Sequence, residues 1–351
     1  MSLLGLQVED LRCLQRLELE LDPAVNLLVG PNASGKTSIL EAIYLLGRGR
    51  SFRTRLTERL IRHEASRLQV LGQTDGEPGH SLGFGFDRIS GVSARIDREP
   101  VKSLADLTEI FPVQAVDPGI HRLVEEGPVY RRRWLDWGVF HVEPGFGRTW
   151  AEFSKVIKQR NAALRLKQPA EPWDESFVRL GEALTEARVR VLGALAPYWQ
   201  QSVQNLLGEP LTLGHFRGWA QDHSLAESLA LHRIRDQERG TTGVGPQRFD
   251  VLLRVDGRAA REVLSRGQQK LLGAALVLAL TRLVADRGQR PPTLLLDDPA
   301  AELDAAHTDA LIQEVRGIQG QLIVTSLQSE SSRFGTVQRA FHVEHGRVER
   351  L

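Results

Sequence analysis

The stretch Gly30-Pro31-Asn32-Ala33-Ser34-Gly35-Lys36-Thr37-Ser38 decides how this chain is read. A short apolar run with β-branched ends, Val25 to Val29, precedes it and suits a buried strand. Ile39 to Leu46 follows with apolar residues at helical spacing. Strand, glycine-bounded loop and helix is the context that a G-x-x-x-x-G-K-[ST] pattern requires. Gly30 and Gly35 let the backbone wrap closely and aim N–H groups at phosphate oxygens, and the helix N-terminus adds its positive dipole end. In such a loop Lys36 reaches the β- and γ-phosphates and the Thr37 hydroxyl ligates Mg²⁺. An ordinary glycine turn before a capped helix would carry the same residues less purposefully; the flanking elements favour a nucleotide-binding loop.

A chain of 351 residues suits two domains, or one large domain with an insertion. Its formal net charge is +1, so nucleic-acid binding requires a local basic face and cannot be argued from the total. The single cysteine, Cys13, excludes an intrachain disulfide and fits a reducing compartment. The N-terminal stretch lacks a basic n-region and meets Asp10 early, and no run approaches the ~20 apolar residues of a membrane span. A soluble, cytoplasmic protein is the expectation.

Residues 3–29 alternate as two strands and a turn leading into the phosphate loop, with Arg12 at the tip. Between about 50 and 113 the text is strand-like and turn-rich, as in an antiparallel sheet covering the nucleotide layer. Near Pro118 the character changes, and 119–235 reads as mostly helical. Within it, Tyr130-Arg131-Arg132-Arg133-Trp134 interleaves basic and aromatic residues. Such a segment can carry a phosphate backbone, or be a solvated helix face whose tryptophans pack inward. Glycines at 240–245 and strand alternation at 249–255 suggest that α/β character resumes. The expected organisation is a discontinuous head, 1–118 plus 236–351, with an inserted helical lobe, 119–235.

Leu294-Leu295-Leu296-Asp297-Asp298 is a buried-strand pattern ending in two carboxylates. Beside a phosphate loop, Asp297 is placed to hold Mg²⁺ through a water, and Asp298 to face an attacking water. Alone the run would pass for a strand entering a polar turn. Ser265 caps a long helix, and Gly267 lets backbone approach an anion at its positive end.

The order of these segments resembles the ATP-binding-cassette superfamily, in its SMC-like branch, and within that the RecF family of bacterial recombination mediators. The resemblance covers nearly the whole chain. It rests on 30–38, Gly49-Arg50-Ser51-Phe52-Arg53, Gly127 to Arg132 with Leu135-Asp136, Gln159 to Leu164, and Thr242 to Pro246. It continues in Ser265-Arg266-Gly267-Gln268, Leu296-Asp297-Asp298 and Ala301-Glu302-Leu303-Asp304. It implies an α/β ATPase head with a mixed sheet and an antiparallel layer, and ATP with Mg²⁺ as ligands. It also implies ATP sandwiched between two head-to-tail copies. Ser265, Gly267, Gln268 and Asp304 of one copy would then face the Lys36 and Asp297 of the other, and Arg12 would contact the nucleotide. Asp298 stands where most relatives carry glutamate, and Thr325 at the switch-histidine position, so slow hydrolysis is implied. For the glutamine-loop sensor, Gln114 and Asp117 are equal candidates. Gln247 departs from the family's histidine and receives no role.

The resemblance further implies an ATP-gated clamp on duplex DNA at a junction with single strand, aiding RecA loading with RecO- and RecR-type partners. Arg131, Arg132 and Arg133 are the candidate DNA contacts, with Arg50, Arg53, Arg55, Arg59 and Arg62 a rival basic patch. Two other classes are weighed. A transporter motor ATPase is disfavoured by Thr325 and by the large insertion, and a nuclease-associated ATPase by the lack of a His/Asp cluster outside the loop.

Overall fold

Two sheets sandwich the helix that follows the phosphate loop. A computed structural model describes residues 1–300, 303–327 and 331–351. The chain divides into two compact units, 1–120 with 274–351, and 121–273.

In the first unit a six-stranded sheet runs in the order Arg347–Arg350, Arg339–Glu344, Val25–Val29, Leu322–Ser326, Thr293–Leu296, Val113–Val116. All neighbours are parallel except the terminal hairpin. The registers Ser326↔Val29 and Leu296↔Val324 bring the C-terminal ends of three strands to one edge, with Thr293–Leu296 stopping two residues short. The phosphate loop, the acidic pair and Thr325 therefore emerge at one edge. The second sheet is antiparallel, in the order Leu14–Glu20, Leu3–Leu11, Arg67–Thr74, Ser81–Asp87, Gly91–Ile96, Glu99–Pro100. Strict alternation of buried and exposed residues in Arg67–Thr74 leaves one face for the core.

The helix Lys36–Arg48 packs against strands of both sheets. Ile39, Leu40, Ala42, Ile43, Leu45 and Leu46 are all fully buried, so the helix is enclosed on every side, as one between two layers must be. Each of the larger side chains contributes about 1.5–3 kcal/mol by leaving water. Gln321 joins the layers: its amide donates to Leu3 O and Asp22 O, each at 2.7 Å, and its carbonyl accepts from Leu3 N at 2.9 Å.

The second unit holds the helices Pro128–Val142, Phe146–Arg165, Asp174–Leu207 and Leu225–Arg239. It also holds a three-stranded antiparallel sheet, Arg258–Ala259, Asp250–Val255, Thr212–Phe216. Here the structure departs from the expected boundary at 236. Asp250–Val255 pairs with Thr212–Phe216, and the chain returns to the first unit only at Ala274. Alternation reveals a half-buried strand but not which sheet it joins, and Thr212–Phe216 lay hidden in text read as helical.

Buried guanidinium groups lock this unit. Arg160 bonds Asp174, Asp236 and Thr242 at 3.0, 3.2 and 2.7 Å, and Asn161 accepts from both the amide and the hydroxyl of Thr242. Arg188 pairs with Asp136 through two bonds of 2.7 and 2.9 Å. The helix Arg266–Arg287 has the length and apolarity of a membrane span, but its apolar residues from Leu271 to Val284 are buried.

Arg160→Ala leaves the fully buried Asp236 without its counter-charge, with the Gly243 amide still donating to it. Loss of one partner of such a pair costs about 3–5 kcal/mol. All six tryptophans fall between Trp134 and Trp219, so denaturant unfolding followed by tryptophan fluorescence reads the second unit directly.

Candidate nucleotide-binding site

The strand Val25–Val29 ends at Gly30, where a Cβ would lie 2.0 Å from Val343 O, so only glycine permits the loop to start there. Gly35 closes the loop at φ 116°, a left-handed conformation that glycine adopts without penalty. Among the described residues no side chain caps the helix that follows, which leaves its first amides as donors for an anion.

These elements bound a cleft of about 580 Å³ lined by Arg12, Cys13, Asn32 to Ser38, Arg53, Pro118, Asp297, Asp298 and Thr325. Gly30 and Pro31 serve it from behind: their carbonyls accept from Lys36 Nζ at 2.6 and 2.8 Å. Burial lowers the Lys36 pKa, opposed by the nearby Asp298 and Asp297. Ser34 Oγ is buried and has no hydrogen-bond partner among the described residues.

Asp297 is the hub of the acidic side. Its carboxylate accepts from Thr37 Oγ1 at 2.9 and 3.0 Å and from Thr325 Oγ1 at 2.8 Å. Burial raises its pKa, against the two hydroxyl donors and the charges of Arg53 and Lys36. Asp298 sits in the left-handed region at φ 45°, and its amide donates to Thr325 Oγ1 at 2.9 Å. Burial first and the neighbouring Asp297 second raise its pKa as well. Thr325 is fully buried and bridges the two acids.

A hydroxyl beside a carboxylate is a hard-oxygen pair suited to Mg²⁺. The uncapped amides, the unpartnered Ser34 Oγ and the cations Lys36, Arg12 and Arg53 suit a polyphosphate. The residues therefore fit a magnesium–nucleotide ligand.

Gln114 is buried in the middle of Val113–Val116 and does not line the cleft, and neither does Asp117, whose carboxylate accepts from Gly119 N. Pro118 forms that wall. Ser265, Gly267 and Gln268 belong to the second unit. There Ser265 and Gln268 cap one another, at 2.9 and 3.3 Å, and a Cβ on Gly267 would meet nothing within 4 Å. Asp304 caps the helix Ala305–Arg316, accepting from His307 N at 2.9 Å. Ala301 and Glu302 lie outside the described residues.

One assignment needs correction. Arg131 is buried: it grips Asp250 through two bonds of 2.8 and 3.0 Å and donates to Glu126 O at 2.7 Å. Arg132 is half-buried and donates to Phe249 O at 2.6 Å. Trp134 and Trp137 pack inward, and only Arg133 of the three arginines is exposed.

The model of the RecF/RecN/SMC N terminal domain matches residues 2–349. A DNA replication and repair protein RecF of Pseudomonas fluorescens (strain Pf-5) is 41% identical, over 99% of this chain and 98% of its own. The chain belongs to the RecF family. A RecF of Pseudomonas syringae pv. syringae is 40% identical with the same coverage. Among solved structures, the recombination mediator RecF–ATP of the RecFOR pathway aligns with TM-score 0.89 at 23% identity, covering 100% of this chain and 97% of its own. An SMC head bound to the winged-helix domain of ScpA aligns at 0.60 and 14%, covering 100% and 98%. The fold is thus the ATPase head of the SMC-like branch.

Arg53 is the lining residue that sequence reasoning left in a surface patch. Its only signal was its place in the Gly49–Arg53 segment on which the resemblance rested, since nothing local marks it as a cleft residue.

The raised Asp298 pKa has a signed consequence. Its protonated form is favoured in the folded state, so stability is lost as pH rises from the ordinary carboxylate range through the raised value. Asparagine tolerates the left-handed conformation and carries no charge. Asp298→Asn is therefore expected to raise the Tm at pH 7 without nucleotide, and the gain should vanish as pH falls to that ordinary range. Equal Tm differences at both pH values would refute the charge as the cause.

Proposed function

We propose that the protein is an ATP-dependent DNA-binding clamp of recombinational repair, closing as a homodimer on ATP and reopening on slow hydrolysis. The observation that carries this reading is the Thr37–Asp297 contact beside Lys36 in one cleft, in a chain of the RecF family. Lys36 and the loop amides hold the β- and γ-phosphates, and Arg12 adds a further cation. Mg²⁺ held by Thr37 and Asp297 would neutralise charge on the transferred phosphoryl group. Asp298 orients the attacking water. Its side chain is one methylene shorter than glutamate and its backbone is fixed by Thr325, which supports a slow base. Thr325 acts by tying the Asp297 carboxylate to the Asp298 backbone.

In the dimer, Ser265, Gly267 and Gln268 of a second copy meet the γ-phosphate, with Asp304 at the same seam. The open approach at Gly267 supports this. Duplex with a single-strand gap is the proposed DNA, with RecO- and RecR-type mediators and RecA as downstream partners, all in the cytoplasm. Arg133 and the exposed Arg50, Arg55 and Arg59 are the proposed phosphate contacts.

The test is solution mass with and without ATP and gapped duplex, for wild type and Ser265→Arg. ATP should convert monomer to dimer and raise DNA affinity, and Ser265→Arg should lose both while retaining ATP as a monomer. Each phosphate contact removed should lower the slope of log affinity on log salt by about 0.9. DNA binding equally tight without ATP would sink the clamp.

A further inference from the structure

Glu41 is the one carboxylate on the helix Lys36–Arg48, and it is fully buried. A charge placed in an apolar helix between two sheets destabilises the fold unless it is paired. Its partners come from two distant segments. Arg12, at φ 55° in the turn after the first strand, gives it two bonds, Nε at 3.0 Å and Nη2 at 3.1 Å. From the segment after the helix, Ser51 Oγ donates to Glu41 Oε1 and Arg53 Nη1 lies 3.7 Å from Oε2. Ser51 Oγ in turn accepts from the amides of Arg53 and Thr54 at 2.9 and 3.1 Å, fixing the turn that carries Arg53. Arg12 Nη1 also donates to Arg59 O at 2.9 Å. Arg12 and Arg53 both line the cleft, and Glu41 does not.

We infer that Glu41 is a positioning residue that fixes Arg12 and Arg53 against the phosphate chain of a nucleoside triphosphate, and so sets the preference for triphosphate over diphosphate. This deepens the nucleotide reading above and rests on it. The alternative role is pure charge balance. Three cations in the lining, Arg12, Lys36 and Arg53, face Asp297 and Asp298, and Glu41 behind them makes the set neutral. The two roles differ in sign. If Glu41 only offsets charge, removing it leaves a more positive cleft that binds polyphosphate tighter. If it positions, both arginines lose their anchor and the triphosphate is lost first, because it needs both.

The experiment is calorimetric titration of the full chain with Mg-ATP and Mg-ADP. The variants are Glu41→Gln, Glu41→Asp, Arg53→Ala, Glu41→Gln with Arg53→Ala, and Lys36→Ala. Glu41→Gln should weaken ATP about tenfold, as expected for loss of a charge-assisted network, and ADP clearly less. Glu41→Asp keeps the charge but withdraws it by a methylene, and should also lower the ATP-to-ADP ratio. The double variant should bind ATP no worse than Glu41→Gln alone, since Arg53 acts through that anchor. Tighter or unchanged ATP binding in Glu41→Gln, equal losses for ATP and ADP, or multiplying losses in the double variant would each overturn the inference. Should the Glu41 variants not fold, Ser51→Ala removes one anchor from the edge of the network. It should lower the ATP-to-ADP ratio, and an unchanged ratio refutes the role. Lys36→Ala separates the two failures: wild-type ATP binding in that variant refutes the nucleotide reading itself. Lost binding there, with Glu41→Gln unaffected, refutes only the positioning role.

Discussion

The contact between Thr37 and Asp297 spans 260 residues of chain, and the first unit is built so that it can form. Neither residue could reach the other from its own element alone. Val25–Val29 and Thr293–Leu296 are not neighbours; Leu322–Ser326 lies between them and pairs with both in parallel. Parallel pairing in this register places three loops on one edge, and the middle strand supplies Thr325. Asp297 is buried, and two hydroxyl donors to its carboxylate make that burial tolerable. A slip of one residue in either pairing would turn Thr325 away and leave Asp297 without one of them. Sheet register is in this sense part of the site.

Guanidinium–carboxylate pairing recurs in both units. Arg12 with Glu41, Arg131 with Asp250, and Arg188 with Asp136 are each two-bonded forks, a geometry that lysine cannot reproduce. Arg160 is tied to Asp174 and Asp236. Arg131, Arg160 and Arg188 hold backbone and helices in place and are themselves buried, and of the four only Arg12 also lines the cleft. A count of basic residues therefore overstates what the molecule can offer to a phosphate backbone.

That distinction explains which parts of the molecule were legible in its sequence. The phosphate loop announces itself, because its strand, loop and helix signals are local and its chemistry needs fixed spacing; the acid pair became legible only beside that loop. The inward tryptophans beside Arg131 were an open alternative, and the structure takes it. Arg131 itself could not be read, since its partner Asp250 is 119 residues away and nothing near either marks the pair. The same limit hid the membership of Asp250–Val255 in the second sheet and the role of Arg53. Glu41 was equally silent. At helical spacing it reads as a solvent-facing residue, and only the layer packed over it shows that it is enclosed. Pairings across long loops are set by tertiary structure, and a linear text carries no record of them.

The Lys36 ammonium already has two strong acceptors, the carbonyls of Gly30 and Pro31. A phosphate that engages it must compete with bonds of 2.6 and 2.8 Å, so the net gain is the difference between two charge-assisted arrangements. The same holds for Thr37, whose hydroxyl is held by Asp297, so a cation bound there would have to compete with that bond for both oxygens. Residues that hold one another in this way are pre-organised but individually weak as sources of affinity. Affinity then has to come from groups whose positions are fixed and whose donors still face the cleft. The first amides of the helix and the arginines behind which Glu41 stands meet that condition. A phosphate bound here would take its geometry from the loop and its affinity from the ring of donors around it.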